Sequence, residues 1–325
     1  MPGKSAPKPT QIVAVVPAYR VEGQIEAVLR GLPPFLTQIV VVDDASTDTT
    51  AALVQAAAKR DRRIILLQHK HNQGVGGAMI TGFRRALELG AQIIVKIDGD
   101  GQMDVRYLPD LITPLTLGRA DYAKGNRFRD SAALRRMPLI RRIGNIGLGF
   151  LAKAATGYWN VFDPTNGFAA IRGETLAQLP LDQVDRSYYF EISMLASLYL
   201  LGAVVQEVPM PARYKDEVSN LMVERVLLEF PAKLLGTFLR RVALKNFLYD
   251  FSMVSIYLLT GVPLLLFGLI FGGYKWIQYW RAGVPAPTGT VILPTLSVLL
   301  GIQLLLSAIE SDLRSVPRQP LTNPL

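Results

Sequence analysis

The chain has 325 residues, half of them apolar and only 19% charged, with 35 Lys and Arg against 26 Asp and Glu for a net charge of +9. That combination excludes a disordered chain and is poorer in surface charge than an ordinary soluble domain. Cysteine is absent, which excludes disulfides, thiolate chemistry and every sulfur-ligated zinc site.

No secretory signal is expected, because Lys4 and Lys8 are followed only by the short apolar stretch Ile12 to Val16 before Pro17. From there to residue 100, short apolar runs alternate with helical patterns. Ile12 to Val16, Ile39 to Val42, Ile64 to Leu67 and Ile93 to Ile97 are β-branched or leucine-rich, as suits strands buried on both faces. Thr49 to Lys59 and Val75 to Leu89 carry helix formers, with Val75, Ala78, Met79 and Ala86 at roughly helical spacing. A βαβα order predicts a parallel sheet covered by helices, and ligands of such sheets bind beyond the carboxyl ends of the strands.

The segments after those strands are Pro17 to Glu22, Asp43 to Asp48, His71 to Gly77 and Asp98 to Asp104, so carboxylates collect at one edge. His69 and His71 form a His-x-His pair with no third nitrogen or sulfur ligand in the chain, and read as a solvated strand end. Gly74, Gly76 and Gly77 follow the third strand and lack the Gly-x-Gly-x-x-Gly spacing of a dinucleotide fingerprint. In Asp98-Gly-Asp100-Gly-Gln102, two carboxylates flank a glycine that can turn sharply, so both can approach one hard divalent ion, with the Gln102 amide oxygen beside them. An EF-hand would need Gly at the sixth position and Glu at the twelfth, where Met103 and Pro109 stand. A phosphoaspartyl hydrolase would carry its Asp-x-Asp after the first strand.

Arg127 to Arg142 holds six arginines against one aspartate, a net charge of +5, and leads into an apolar stretch, as suits a loop meeting anionic headgroups or a lipid phosphate. Leu235, Phe238, Leu239 and Val242 then make a helical stripe with Lys233, Arg240, Arg241 and Lys245 mostly off it, the pattern of a helix lying in a membrane interface. The basic run interleaves a single aromatic, Phe128, and two apolar spans follow it, so no nucleic-acid role is expected. Phe251 to Tyr274 and Ala282 to Ile309 are free of charge over 24 and 28 residues. Each exceeds the ~20 residues that cross a bilayer as a helix, and Tyr274, Trp276, Tyr279 and Trp280 cluster where aromatic rings prefer the interface. More Lys and Arg flank the pair of spans than lie between them, which places both termini in the cytoplasm.

Six motifs in order over roughly 160 residues resemble those of the family 2 glycosyltransferases of the GT-A fold. They are Val-Val-Pro-Ala-Tyr near 15–19, Val-Val-Asp-Asp-Ala-Ser-Thr-Asp (41–48), Asn-Gln-Gly-Val-Gly-Gly-Ala (72–78), Asp-Gly-Asp-Gly-Gln (98–102), Gly-Asn-Arg-Phe (125–128) and Asp-Pro-Thr-Asn-Gly-Phe (163–168). With two C-terminal spans, the chain is most similar to the polyprenyl-phosphate glycosyltransferases, the group of dolichyl-phosphate mannose synthase and the bactoprenol glucosyltransferases. Arg20 stands where that family commonly has Asn, and Glu-Val-Ser-Asn (217–220) replaces a frequent Gly-x-Ser-Lys.

The resemblance implies an α/β fold: a GT-A, Rossmann-like, mainly parallel sheet with helices on both faces, then interfacial amphipathic helices and two transmembrane helices. The expected divisions are a flexible 1–10, a catalytic domain over 11–224, interfacial helices over 225–250, spans at 251–274 and 282–309, and a cytoplasmic tail from 310 to 325. It further implies an inverting transfer of a hexose, with UDP-glucose ahead of GDP-mannose as donor, to a membrane polyprenyl phosphate, assisted by Mg2+ or Mn2+. Pro17, Tyr19, Glu22, Asp43 and Asp44 would line the nucleotide pocket; Asp98 would sit near ribose and diphosphate and, with Asp100 and Gln102, at the metal. Arg127 and Arg213 would meet phosphate, and Asp163 would orient the acceptor. Arg127, Arg135, Arg136, Arg141, Arg142 and Ser219 would face the lipid phosphate and membrane. The partners expected are nucleotide sugar, polyprenyl phosphate and lipid bilayer, and a homo-oligomer fits the family. A processive polysaccharide synthase would carry more spans and a Gln-x-x-Arg-Trp signature. A catalytically silent scaffold would not need Asp98, Asp100 and Gln102 together.

Overall fold

A computed structural model describes residues 10–128, 139–211 and 223–325. In chain order its strands are β1 (Ile12–Ala18), β2 (Gln38–Asp43), β3 (Ile64–Gln68), β4 (Ile93–Lys96), β5 (Tyr122–Asn126), β6 (Ala169–Arg172) and β7 (Val205–Pro209). The helices are α1 (Ile25–Gly31), α2 (Thr50–Arg60), α3 (Gly74–Glu88), α4 (Leu108–Thr116), α5 (Leu139–Thr156), α6 (Gly173–Ala177), α7 (Phe190–Leu201), α8 (Val223–Ala243), α9 (Met253–Ala282) and α10 (Thr288–Arg314). They form two compact units, Met1–Phe238 with Pro317–Leu325, and Leu239–Val316.

The first unit is built on one sheet in the order β3-β2-β1-β4-β6-β5-β7. The pairs β1–β2, β1–β4, β2–β3 and β5–β7 are parallel, while β6 runs antiparallel to both its neighbours, so the sheet is mainly parallel, as the sequence predicts. The four expected strands and two expected helices lie within two residues of their predicted limits. Pleating sends alternate residues to opposite faces. Ala14, Val16, Ile39, Val41, Ile93 and Val95 point into a core shared with Ile25 and Leu29 of α1, Val54 of α2 and Leu111 and Leu115 of α4. Val15 and Val42 face the other way and meet α3 at Gly82, where a Cβ would run into the Val15 side chain. Helices therefore cover both faces.

The last residues belong to this unit as well. Asp121 is fully buried at the start of β5, and its carboxylate accepts from Leu321 N and Thr322 Oγ1 at 3.0 Å and from Val204 N at 2.8 Å. Leu325 N donates to Thr116 O at 3.0 Å. The segment at 317–325 is thus a docked strap.

The second unit is mainly the α9–α10 hairpin. Both helices are long and apolar enough to cross a membrane, and at 30 and 27 residues they would reach about 45 and 40 Å. They continue beyond the charge-free runs, α9 through Lys275 to Arg281 and α10 through Glu310 to Arg314. Small residues set their approach: a Cβ on Gly268 would lie 2.8 Å from Pro294 O, and one on Gly301 2.7 Å from Leu265 N. At the open end of the hairpin the buried Arg241 pairs with Asp312 at 2.7 Å, and Lys245 donates to Ser315 Oγ at 2.8 Å.

The interfacial reading of α8 changes accordingly. Leu235, Phe238 and Leu239 are exposed as expected, but Lys233 pairs with Asp185 at 2.7 Å and Arg241 with Asp312, so these cations neutralise protein carboxylates instead of facing headgroups. Leu234 and Phe230 pack with Ala152, Ala155, Tyr189 and Ile192, which anchors the first part of α8 within the first unit.

Candidate active site

The carboxyl edge of β1, β2 and β4 carries three turns that lock together. Gly99 N donates to Pro17 O at 3.3 Å, and a Cβ on Gly99 would sit 3.1 Å from that oxygen, so the Asp98–Asp100 turn lies against the exit of β1. Glu22 Oε2 accepts from Thr49 N at 3.0 Å and Thr49 Oγ1 at 2.6 Å, and these bonds hold its carboxyl below the ordinary range. Glu22 therefore ties the β1 loop to the β2 loop. Arg20, whose N donates to Ser46 Oγ at 3.0 Å, has φ 54°, and Ala45 has φ 59°. Side-chain-bearing residues rarely occupy that left-handed region, so both loops hold strained backbone at this edge. Tyr19 is exposed at the rim.

Asp43 and Asp44 are both buried. Asp43 Oδ1 is shut away from solvent and accepts no hydrogen bond. A buried carboxylate oxygen without a donor is costly, and a ligand N–H or O–H would satisfy it. His69 is not the solvated strand end that its spacing suggested. Its side chain is only 7% exposed, with Nδ1 2.7 Å from Asp44 Oδ1 and Nε2 2.9 Å from Thr81 Oγ1. The glycines of 74–77 serve packing: a Cβ at Gly74 or Gly76 would strike the backbone of Asp185 and Arg186, and Gly76 N and Gly77 N already donate to Arg186 O at 2.9 and 3.2 Å. The start of α3 is thereby capped by protein.

In the acidic turn, Gly101 has φ 72° and Gln102 N donates to Asp100 Oδ1 at 3.0 Å. Lys96, two residues upstream on β4, reaches Asp98 Oδ1 at 2.6 Å and Glu191 Oε1 at 3.2 Å. Burial opposes its charge, but these two carboxylates outweigh it and hold the ammonium above its ordinary range. A Cβ on Gly167 would strike Lys96 Nζ and come within 3.0 Å of Asp98 Oδ2, so the 163–168 loop sits directly on this pair.

Asp163 is fully buried beneath that loop. Its Oδ2 accepts from Arg127 N at 3.1 Å and Arg127 Nε at 2.8 Å, and its Oδ1 from Arg127 Nη2 at 2.9 Å, a two-pronged pair. Glu207 Oε1 accepts from Phe162 N at 2.7 Å and Asp163 N at 2.8 Å, and its Oε2 from Asn126 Nδ2 at 2.5 Å. Burial raises the Glu207 carboxyl, with those bonds pulling the other way. Lys124 Nζ donates to Pro164 O at 2.7 Å. Burial pushes this ammonium down to about 8, despite Asp163, Glu191 and Glu207.

A pH effect follows for Lys124. Its folded-state value lies below the ordinary 10.5, so between about pH 8 and 10.5 the folded chain has released a proton that the unfolded chain keeps. Stability from this group is present above 10.5 and lost as pH falls through about 8, worth on the order of 3 kcal/mol. In detergent, the melting temperature of the wild type minus that of Lys124→Met is expected to grow from pH 8 to pH 10. A constant difference would remove the assignment.

Of the residues expected at the site, Pro17, Tyr19, Glu22, Asp43, Asp44, Asp98, Asp100 and Gln102 share the edge of β1, β2 and β4, and Arg127 and Asp163 meet under the neighbouring loop. Arg127 binds Asp163 with both prongs of its guanidinium. Arg135, Arg136, Arg213 and Ser219 lie outside the described residues, as do the side chains of Arg141 and Arg142 on the first turn of α5. Lys96, Lys124, Glu191 and Glu207 escaped the sequence reading, and His69 was read only as a solvated strand end. The signal for two of them was a lysine in the middle of a short buried strand, Ile-Ile-Val-Lys in β4 and Tyr-Ala-Lys-Gly-Asn in β5.

Among the described residues no cluster of three or more acidic or imidazole groups could cage a metal. Asp100, Gln102 and the second oxygen of Asp98 form an all-oxygen donor set with few charges. Such a set fits Mg2+ or Mn2+ shared with substrate phosphates, since small hard ions are commonly held by one or two carboxylates plus phosphate oxygens.

Sheet order and acidic turn define the GT-A class of α/β proteins. Glycosyl transferase family 2 matches residues 13–179, just over half of the chain, and the chain belongs to that family. It is 32% identical over 181 residues, 52% of this chain and 72% of the relative, to the UDP-N-acetylglucosamine–dolichyl-phosphate N-acetylglucosaminyltransferase of Methanococcus voltae. With the undecaprenyl-phosphate mannosyltransferase of Micrococcus luteus it shares 29% over 202 residues, 61% of this chain and 82% of the relative. Among solved structures, glucosyl-3-phosphoglycerate synthase from Mycobacterium tuberculosis, in complex with Mn2+, UDP and glucosyl-3-phosphoglycerate, superimposes with a TM-score of 0.53 at 21% identity, covering 71% of this chain and 80% of that one. That likeness concerns the fold.

Proposed function

We propose that this protein is an inverting glycosyltransferase that moves a hexose from a nucleotide diphosphate sugar to the phosphate of a membrane polyprenol at the cytoplasmic face. The observation that carries the choice of acceptor is the state of Asp163. A sugar hydroxyl acceptor needs a base to take its proton, whereas a lipid phosphate arrives as an anion. Asp163 is fully buried with both oxygens committed to Arg127, an arrangement suited to positioning rather than to proton abstraction. The relatives that act on dolichyl and undecaprenyl phosphate support the same acceptor class.

A phosphate oxygen of the acceptor attacks the anomeric carbon, the bond from that carbon to the diphosphate oxygen breaks, and the nucleoside diphosphate leaves with the electron pair. Asp100 and Gln102, with Asp98 beside them, would hold Mg2+ or Mn2+, which would supply charge neutralisation for the departing diphosphate. Asp43 and Asp44 receive the nucleoside, and Arg127, held by Asp163, presents its edge to phosphate. The α9–α10 hairpin crosses the bilayer and keeps the domain where the lipid acceptor is found.

UDP-glucose is the first donor to test, followed by UDP-N-acetylglucosamine and GDP-mannose. Purified full-length chain, undecaprenyl phosphate, Mg2+ or Mn2+ and labelled sugar nucleotides are expected to give one lipid-linked monosaccharide. Transfer only to free oligosaccharides would favour a polysaccharide synthase, and no transfer from any donor would sink the proposal.

A further inference from the structure

Four bonds converge on Asp44. Its N donates to Ala18 O at 2.9 Å, its carbonyl accepts from Asn72 Nδ2 at 3.3 Å, and its Oδ1 accepts from Gln73 N at 2.8 Å and lies 2.7 Å from His69 Nδ1. A carboxylate can only accept, so Nδ1 carries the proton, and the other ring nitrogen is left for Thr81 Oγ1 on α3 at 2.9 Å. All the protein donors go to Oδ1, and Oδ2 accepts nothing from the described residues.

The main chain alone would hold this segment. His69 N donates to Asp43 O at 2.9 Å, extending the β2–β3 ladder past its end, and Asp44 N is bonded to β1. What the imidazole adds is control of one side-chain rotamer, at the edge of the sheet where ligands bind. The next residue, Ala45, has φ 59°, a conformation that is strained without glycine and recurs at ligand clamps. Beside it, Asp43 Oδ1 is buried and lacks a donor. Two carboxylate oxygens at the exit of β2 are therefore left to accept from a ligand, one by burial and one by the fixing of its partner oxygen.

We infer that His69 is a positioning residue for nucleotide recognition: it ties Asp44 Oδ1 to β3 and α3 so that Oδ2 is held ready for an N–H or O–H of the donor's nucleoside. This deepens the reading under Proposed function and rests on it. His69 touches no substrate and takes no part in the displacement.

The test is calorimetric titration of the full-length chain in detergent with UDP and with GDP, in the presence of Mg2+, for the wild type, His69→Ala and His69→Asn. The Asn side chain places an N–H where the imidazole Nδ1–H stood. His69→Ala is expected to weaken binding of the preferred nucleotide about 10- to 50-fold and to raise KM for the sugar nucleotide by a similar factor, with KM for undecaprenyl phosphate unchanged. His69→Asn is expected to recover affinity to within about threefold of the wild type. Unchanged nucleotide affinity in His69→Ala would overturn the inference. So would equal losses in both variants accompanied by equal drops in melting temperature, which would reduce His69 to packing. A wild type that binds neither nucleotide would overturn the functional reading first, and the inference with it.

Discussion

Replacing Asp100 by alanine is expected to lower turnover at least about 10³-fold, the upper end of the loss seen when one charge-stabilising group is removed from a transition state. The variant should still fold, because Asp100 lies on a turn beyond the end of β4, and the hydrogen bond it accepts from Gln102 N at 3.0 Å closes that turn locally. Asp100→Asn separates the two roles: it keeps an oxygen for Gln102 N and removes the charge. Both variants should lose activity alike, and Mn2+ affinity followed by electron paramagnetic resonance in the presence of UDP should fall with it. An active Asp100→Asn enzyme would mean that the metal is held elsewhere.

Lys96→Met is expected to have the largest effect on stability. Lys96 is nearly inaccessible and neutralises Asp98 and Glu191 at once. Removing one partner of a buried ion pair typically costs about 3–5 kcal/mol, because the remaining charge keeps its desolvation penalty. The melting temperature should fall by on the order of 10 °C. Lys96→Met with Glu191→Gln should recover part of the loss, since one orphaned charge then disappears. Lys96→Arg should not rescue fully, because Gly167 leaves no room for the larger head. A melting temperature unchanged by Lys96→Met would show that the pair is open to water.

The half of the fold that was legible in the sequence is the half with strong local signals. β1 to β4 are buried on both faces, so they read as continuous β-branched runs, and the helices between them show their apolar stripes. The strands of the second half of the sheet were not read. β5 and β6, Tyr-Ala-Lys-Gly-Asn and Ala-Ala-Ile-Arg, have few β-branched residues, and the reversal of β6 depends on pairing with β4 across more than 70 residues of chain. Tertiary contacts alone set that register.

The site divides in the same way. Asp98, Asp100 and Gln102 were visible because their spacing carries their chemistry. Lys124 and Glu207 were not, because each acts on a group distant in sequence, and Lys96 was missed because its second partner, Glu191, is equally remote along the chain. The charges of α8 show the complementary error. A basic residue beside an apolar stripe fits a headgroup and a protein carboxylate equally well, and nothing local tells Lys233 that Asp185, 48 residues away, is its partner.

The docked strap has a consequence for how the protein is made. Asp121 waits at the start of β5 for two donors, Leu321 N and Thr322 Oγ1, that are synthesised 200 residues later. Both apolar helices lie between them in the chain. The catalytic unit is therefore completed only after the hairpin has emerged from the ribosome. Until then, among the described residues, the Asp121 carboxylate accepts from Val204 N alone. A chain stopped anywhere before the strap carries a complete acidic turn on a domain that is not yet closed, so final consolidation of the first unit is coupled to synthesis of the two long apolar helices.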